Sequence, residues 1–165
     1  MLEAAVLTIS DSCHAGLRAD RSGPAVRERL EQLGWSVPVA EVLPDDEAAI
    51  STRIRELAGP AGVSAVFTTG GTGVAPRDVT PEATRAALDR EIPGLAERMR
   101  AVGCQTTPLA SLSRAVAGVR GRTLIVNLPG SLKGALESLD AIVELVPHVL
   151  ELLGGQAEHA AARQG

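Results

Sequence analysis

The sequence predicts a three-layer α/β/α fold with a mostly parallel central sheet. Short β-branched apolar runs alternate with segments whose apolar residues recur at helical spacing, which is the pattern of βαβ units. The runs are apolar on both faces, as strands covered by helices on each side must be. Turn residues follow the runs: Ser10-Asp11 after Ile9, Pro44-Asp45-Asp46 after Leu43, Gly70-Gly71 after Thr69 and Pro129-Gly130 after Leu128. In such sheets ligands bind at the carboxyl ends of the strands, so these four loops are expected to share one crevice.

The elements follow in order. Ala4–Ile9 reads as a buried first strand. Ser22-Gly23-Pro24 opens a helix carrying Val26, Leu30 and Leu33, and Gly34 stops it. Val37–Leu43 is the second strand, and Asp46 is placed to cap a helix running through Ile50, Ile54 and Leu57. Ser64–Thr69 is the third strand. Pro81–Leu88 and Pro93–Val102 read as helices, the second with Leu95, Met99 and Val102 on one face. Ala115–Val119 and Thr123–Leu128 flank a turn at Gly121. Leu132–Leu153 has helical spacing that Pro147 should kink or split. Residues 1–155 thus form a single domain, and 156–165, polar and Ala-rich, read as a frayed tail.

Composition narrows the function classes. The 165 residues carry a formal charge of −4, so no global field draws nucleic acid or an anionic membrane. Trp35 and Phe67 are the only aromatic residues, so the core must be aliphatic. Cys13 and Cys104 form neither a disulfide framework nor a CxxC metal site, and a reducing cytoplasm is the simplest reading. No signal peptide or bilayer-length apolar segment is expected. His14, His148 and His159 lack metal-ligand spacing, and His148, among apolar helix residues, reads as structural.

The most informative motif is Phe67-Thr68-Thr69-Gly70-Gly71-Thr72-Gly73, followed by Arg77-Asp78-Val79-Thr80-Pro81. A strand that ends in glycines lets backbone N–H groups approach an anion closely. A P-loop would need a lysine that is absent, and Pro76 stands where a dinucleotide fingerprint needs its third glycine. Thr80 before Pro81 is the better helix cap, which leaves Asp78 to face the crevice. Asp45 and Asp78, from separate strand ends, suit Mg²⁺, which takes one or two carboxylates and completes its shell with water and phosphate oxygens. Ser131 opens a helix and offers donors at its positive end, with Lys133 two residues on. Ser113-Arg114 offers a guanidinium fork to a phosphate or a planar heterocycle.

Together these segments resemble the MoaB/Mog family of molybdenum-cofactor biosynthesis. The resemblance runs from Leu7-Thr8-Ile9-Ser10-Asp11 through Asp20, Ser22-Gly23, Pro44-Asp45-Asp46, Thr69–Gly73, Arg77–Thr84 and Glu91–Gly94 to Leu112–Ala115 and Asn127–Ser131. It implies a homotrimer, or a hexamer, and Mg²⁺- and ATP-dependent adenylylation of molybdopterin with release of pyrophosphate. Asp45 and Asp78 match the family's catalytic and metal-holding pair. Ser10, Asp11, Thr69, Gly70, Gly71, Thr72, Gly73, Ser113, Arg114, Asn127, Pro129, Gly130 and Ser131 match its substrate and nucleotide loops. A MoeA-like molybdate-inserting enzyme is the implied partner. The Ser113–Val119 segment looks closer to the MoaB branch, some members of which have lost the acidic residues. The alternative is therefore a MoaB-type protein that binds molybdopterin without turning it over. Leu132 stands where many relatives have proline.

Overall fold

The computed structural model describes residues 1–155; the expected tail at 156–165 lies outside them. Six strands form one sheet: β1 (Glu3–Ile9), β2 (Ser36–Leu43), β3 (Ala65–Thr69), β4 (Arg90–Glu91), β5 (Ala117–Arg120) and β6 (Thr123–Leu128). Their spatial order is β2-β1-β3-β6-β5-β4. β2, β1, β3 and β6 run parallel, whereas β5 and β4 close the far edge antiparallel. The parallel set sends four strand ends to one rim, which is what the loop pattern predicted.

Among the described residues, seven helices accompany the sheet: α1 (Asp11–His14), α2 (Ser22–Gln32), α3 (Glu47–Leu57), α4 (Thr80–Ala87), α5 (Pro93–Cys104), α6 (Leu132–Ile142) and α7 (Val146–Leu153). Two cores make the outer layers. Val26 and Leu30 of α2, Leu95 and Met99 of α5, Leu139 and Ile142 of α6 and Val146 of α7 pack against Ala4, Val6, Phe67, Leu124 and Val126. Ile50, Ile54 and Leu57 of α3 and Ala83 and Ala87 of α4 pack against Ala5, Leu7, Val66 and Ile125. Alternate residues of each central strand serve opposite layers, because side chains alternate across a pleated strand. Trp35, just before β2, meets Phe67 edge-on with ring centroids 6.2 Å apart, and only 7% of it is exposed.

Local chemistry sets the boundaries. Asp46 caps α3 by accepting the Ala49 N–H at 2.8 Å. Gly34 closes α2 at φ +85°, a conformation that favours glycine. Pro147 splits the C-terminal helical segment: α6 ends at Ile142, a 3₁₀ turn spans Val143–Leu145, and α7 starts at Val146. Proline has no N–H for the Val143 carbonyl, so the helix cannot run through. Four expectations change. Thr80 is not the cap of α4: Val79 holds that position without a side-chain bond, and the buried Thr80 hydroxyl donates to the Gly70 carbonyl at 2.9 Å. The fifth strand starts at Ala117 rather than Ala115, where pairing with β6 begins. His148 lies on the solvent face of α7, 3.7 Å from Glu151. α1, β4 and a 3₁₀ turn at Pro108–Leu112 are additional.

Candidate active site

The loops after β1 and β2 are locked together by paired aspartates. The Asp11 N–H donates to Asp45 Oδ2 and the Asp45 N–H donates to Asp11 Oδ1, both at 2.9 Å. α1 makes this possible: Ser10 caps it through Oγ and the Cys13 N–H, holding the Asp11 N–H toward the neighbouring strand end. Arg77, from the loop after β3, pairs with Asp11 Oδ2 at 2.7 Å. The Asp45 N–H bond and this guanidinium hold the Asp11 carboxyl below its usual range. Asp45 shifts the other way. Burial pushes its carboxyl up, and the negative charges of Asp11 and Asp78 add to that effect.

The glycine loop closes over the same space. Gly70 has φ +102° and packs on the Ile9 carbonyl, where a Cβ would collide. Gly71 has φ +67°; a Cβ there would strike the Thr80 hydroxyl and lie 3.1 Å from Asp45 Oδ1. A Cβ on Gly73 would lie 2.8 Å from Asp78 Oδ2. Among the described residues, the N–H groups of Gly71, Thr72 and Gly73 donate to no protein acceptor outside regular helix and strand bonding. The same holds for Ser131 and for Leu132 and Lys133 in the first turn of α6. Ser131 caps α6 by accepting the Gly134 N–H at 3.1 Å.

Two compartments flank this wall. One, about 440 Å³, is polar and lined by Ser10, Arg18, Asp20, Asp45, Thr69 and Gly70 among others. The other, about 520 Å³, is largely apolar, with Met99, Leu109, Leu112 and Ala115 facing Thr72, Gly73 and Ser113. Gly71, Asp78, Gly130 and Ser131 line both. Three aspartates face the polar compartment against one arginine, so an anionic ligand needs a cation with it. No group of three or more His, Cys, Asp or Glu side chains able to hold a metal occurs among the described residues. A metal at Asp45 and Asp78 would therefore draw its other ligands from water or substrate, which fits Mg²⁺.

Of the residues singled out in the sequence, Ser10, Asp45, Thr69, Gly70, Gly71, Thr72, Gly73, Asp78, Ser113, Pro129, Gly130 and Ser131 come together along these two compartments. Asp11 stands behind Asp45 as its support. Two expectations are corrected. Asn127 is fully buried: its Nδ2 donates to Thr68 and Thr84 hydroxyls at 3.0 and 2.9 Å, and its Oδ1 accepts the Val116 N–H at 3.1 Å. Both amide donors are thus used inside the protein, and none of the residue is exposed. Arg114 lines neither compartment, because its guanidinium is taken up by Gly73, Asp78 and Glu82. Sequence reasoning missed Arg18 in the polar compartment and the whole apolar lining from α5 and the Pro108–Leu112 turn, and it noted Asp20 without assigning it to the site. Asp20 accepts from the Thr8 hydroxyl at 2.7 Å and the Gly23 N–H at 3.1 Å, and its carboxylate after a predicted strand was the available signal.

Comparison with known proteins finds relatives over most of the chain. Residues 5–148 match the family described as a probable molybdopterin binding domain. A curated molybdopterin adenylyltransferase of Haemophilus influenzae is 37% identical over 169 residues, covering 94% of this chain and 86% of that protein. The molybdenum cofactor synthesis protein cinnamon of Drosophila melanogaster is 41% identical over 90% of this chain, which spans only 25% of that longer protein. Among solved structures, the molybdopterin biosynthesis enzyme MoaB of Thermus thermophilus superposes with a TM-score of 0.88 at 52% identity, covering 94% of this chain and 98% of that one.

Proposed function

Because the chain belongs to the MoaB/Mog family of molybdopterin-binding domains, we propose that it is a molybdopterin adenylyltransferase, a nucleotidyltransferase that moves AMP from ATP to the terminal phosphate of molybdopterin. The observation that carries this reading is the pair of compartments sharing one wall of glycine backbone, Ser131 and Asp78. A transfer between two phosphate-bearing molecules needs two binding spaces meeting at the reacting phosphorus.

In the reaction a molybdopterin phosphate oxygen attacks the α-phosphorus of ATP. A new P–O bond forms, the bond to the bridging α,β-oxygen breaks, and pyrophosphate leaves. The nucleophile is already an anion, so no strong general base is required. Asp45 and Asp78 would hold Mg²⁺, which when bound supplies charge neutralisation for the phosphates and the leaving pyrophosphate. The undonated N–H groups of Gly71, Thr72 and Gly73 and the first turn of α6 are suited to fix phosphate oxygens in line for attack. The apolar compartment excludes water from the acceptor side. Asp11 and Arg77 keep Asp45 from turning away.

The same reading takes the protein as a cytoplasmic homotrimer that passes its product to a MoeA-like enzyme; sedimentation of the purified protein tests the trimer. Pyrophosphate release, followed with molybdopterin and Mg-ATP both present, tests the activity. Release that needs both substrates supports it. Tight molybdopterin binding with no release overturns it in favour of a binding protein that does not turn its ligand over.

A further inference from the structure

Asp78 sits at the end of a stretch without regular structure, Gly70–Val79, between β3 and α4. Its own contacts are local: Oδ2 accepts the Ala75 N–H, and its N–H donates to the Ala75 carbonyl, both at 2.9 Å. These bonds shape the turn but do not attach it to the rest of the molecule. The Arg77–Asp11 pair attaches it at one point, and Arg114 attaches it at three more. The Arg114 N–H donates to the Thr72 carbonyl at 2.8 Å. Its Nε donates to the Gly73 carbonyl and its Nη2 to the Asp78 carbonyl, each at 2.7 Å. Nη1 pairs with the carboxylate of Glu82, in the first turn of α4. A single side chain thus holds both Gly73 and Asp78 and ties them to a helix.

We propose that Arg114 is a positioning residue for the reaction: its planar fork pins Gly73 and Asp78 together, so that the Asp78 carboxylate stays where both compartments meet. This rests on the reading above that Asp78 holds the metal. Only a guanidinium fits the arrangement. Its donors diverge in one plane toward three separate acceptors, whereas a lysine ammonium concentrates its donors on one atom. The identity of residue 114 therefore sets the conformation of a loop that it does not itself extend into the crevice. Glu82 holds the fork in place, and Arg114 in turn holds the Glu82 carboxyl below its ordinary range.

The test uses Arg114→Lys, which keeps the charge and removes the fork, with Asp78→Asn and the double variant beside it. Four quantities are read: the melting temperature, amide exchange across residues 72–79, Mn²⁺ binding in the presence of a non-hydrolysable ATP analogue, and pyrophosphate release. In Arg114→Lys, exchange at Ala75 should speed up about tenfold while the sheet stays protected. Mn²⁺ binding should weaken about tenfold and kcat should fall 10- to 100-fold, roughly the cost of a 1 Å misplacement. KM for molybdopterin should stay within about twofold. The double variant should be no worse than Asp78→Asn, because the two act through one group. Glu82→Gln should shift the same quantities in the same direction by less. Unchanged exchange and Mn²⁺ binding in Arg114→Lys, or a cost that adds fully to that of Asp78→Asn, overturns the inference. A loss of activity that merely follows a lower melting temperature overturns it too. An Asp78→Asn variant with wild-type metal binding and turnover instead removes the reading of Asp78, and this inference goes with it.

Discussion

Replacing Asn127 by alanine separates a strut from a ligand contact. The side chain is fully buried and makes three hydrogen bonds, to Val116, Thr68 and Thr84. The chain of bonds continues: the Thr84 hydroxyl donates to the Thr80 carbonyl at 2.8 Å, and the Thr80 hydroxyl donates to the Gly70 carbonyl. Asn127 therefore anchors a polar line that ends under the glycine loop. Its removal orphans the Val116 N–H, at about 1–3 kcal/mol, and takes a donor from two buried hydroxyls. Adding the space left by the amide, the variant should lose roughly 3–4 kcal/mol of stability. For a chain of this length that is a fall of roughly 10 °C in melting temperature. Urea and thermal unfolding followed by circular dichroism measure it, with nucleotide binding recorded on the folded protein. A loss below about 1 kcal/mol, combined with weakened nucleotide binding, would refute the assignment of Asn127 to the frame.

Other perturbations have equally definite outcomes. Gly71→Ala meets both a left-handed backbone and the Thr80 hydroxyl, so it should cost about 2–4 kcal/mol, read by urea unfolding. Asp45→Asn should raise stability at neutral pH while abolishing the response to Mg²⁺, measured by thermal melts with and without the ion. The sign follows from the raised carboxyl: a group that holds its proton more tightly when folded loses stability as pH rises through its folded pKa, and asparagine removes that loss. Glu82 is the reverse case, since its folded carboxyl is lowered from 4.5. Its contribution is present above that value and disappears as pH falls through the folded pKa. Glu82→Gln should therefore flatten the acid limb of a plot of stability against pH.

The parallel strands, their order along the chain and the rim at their ends were legible because apolar runs and helical spacing carry that information directly. Asp45, Asp78, Gly71 and Ser131 were legible as rim residues for the same reason: each follows a strand or opens a helix. α1 and β4, of four and two residues, are too short to leave a periodic trace. Asn127 and Arg114 were misplaced because a polar side chain at a strand end looks the same whether it meets a ligand or another loop. Only the tertiary partners, Thr68 and Thr84 in one case and Gly73, Asp78 and Glu82 in the other, decide between the two. The apolar compartment escaped notice because Met99 on α5 satisfies the spacing of a core helix while also lining a cleft.

With a single tryptophan set edge-on against a single phenylalanine, the protein contains its own spectroscopic gauge. Trp35 lies in the core, and neither compartment includes it among its lining residues. Its emission should stay blue-shifted and constant while substrates come and go, then move to longer wavelength only when the layers separate. Loss of tertiary structure can thus be timed in the presence of nucleotide without a label, an engineered reporter or correction for occupancy.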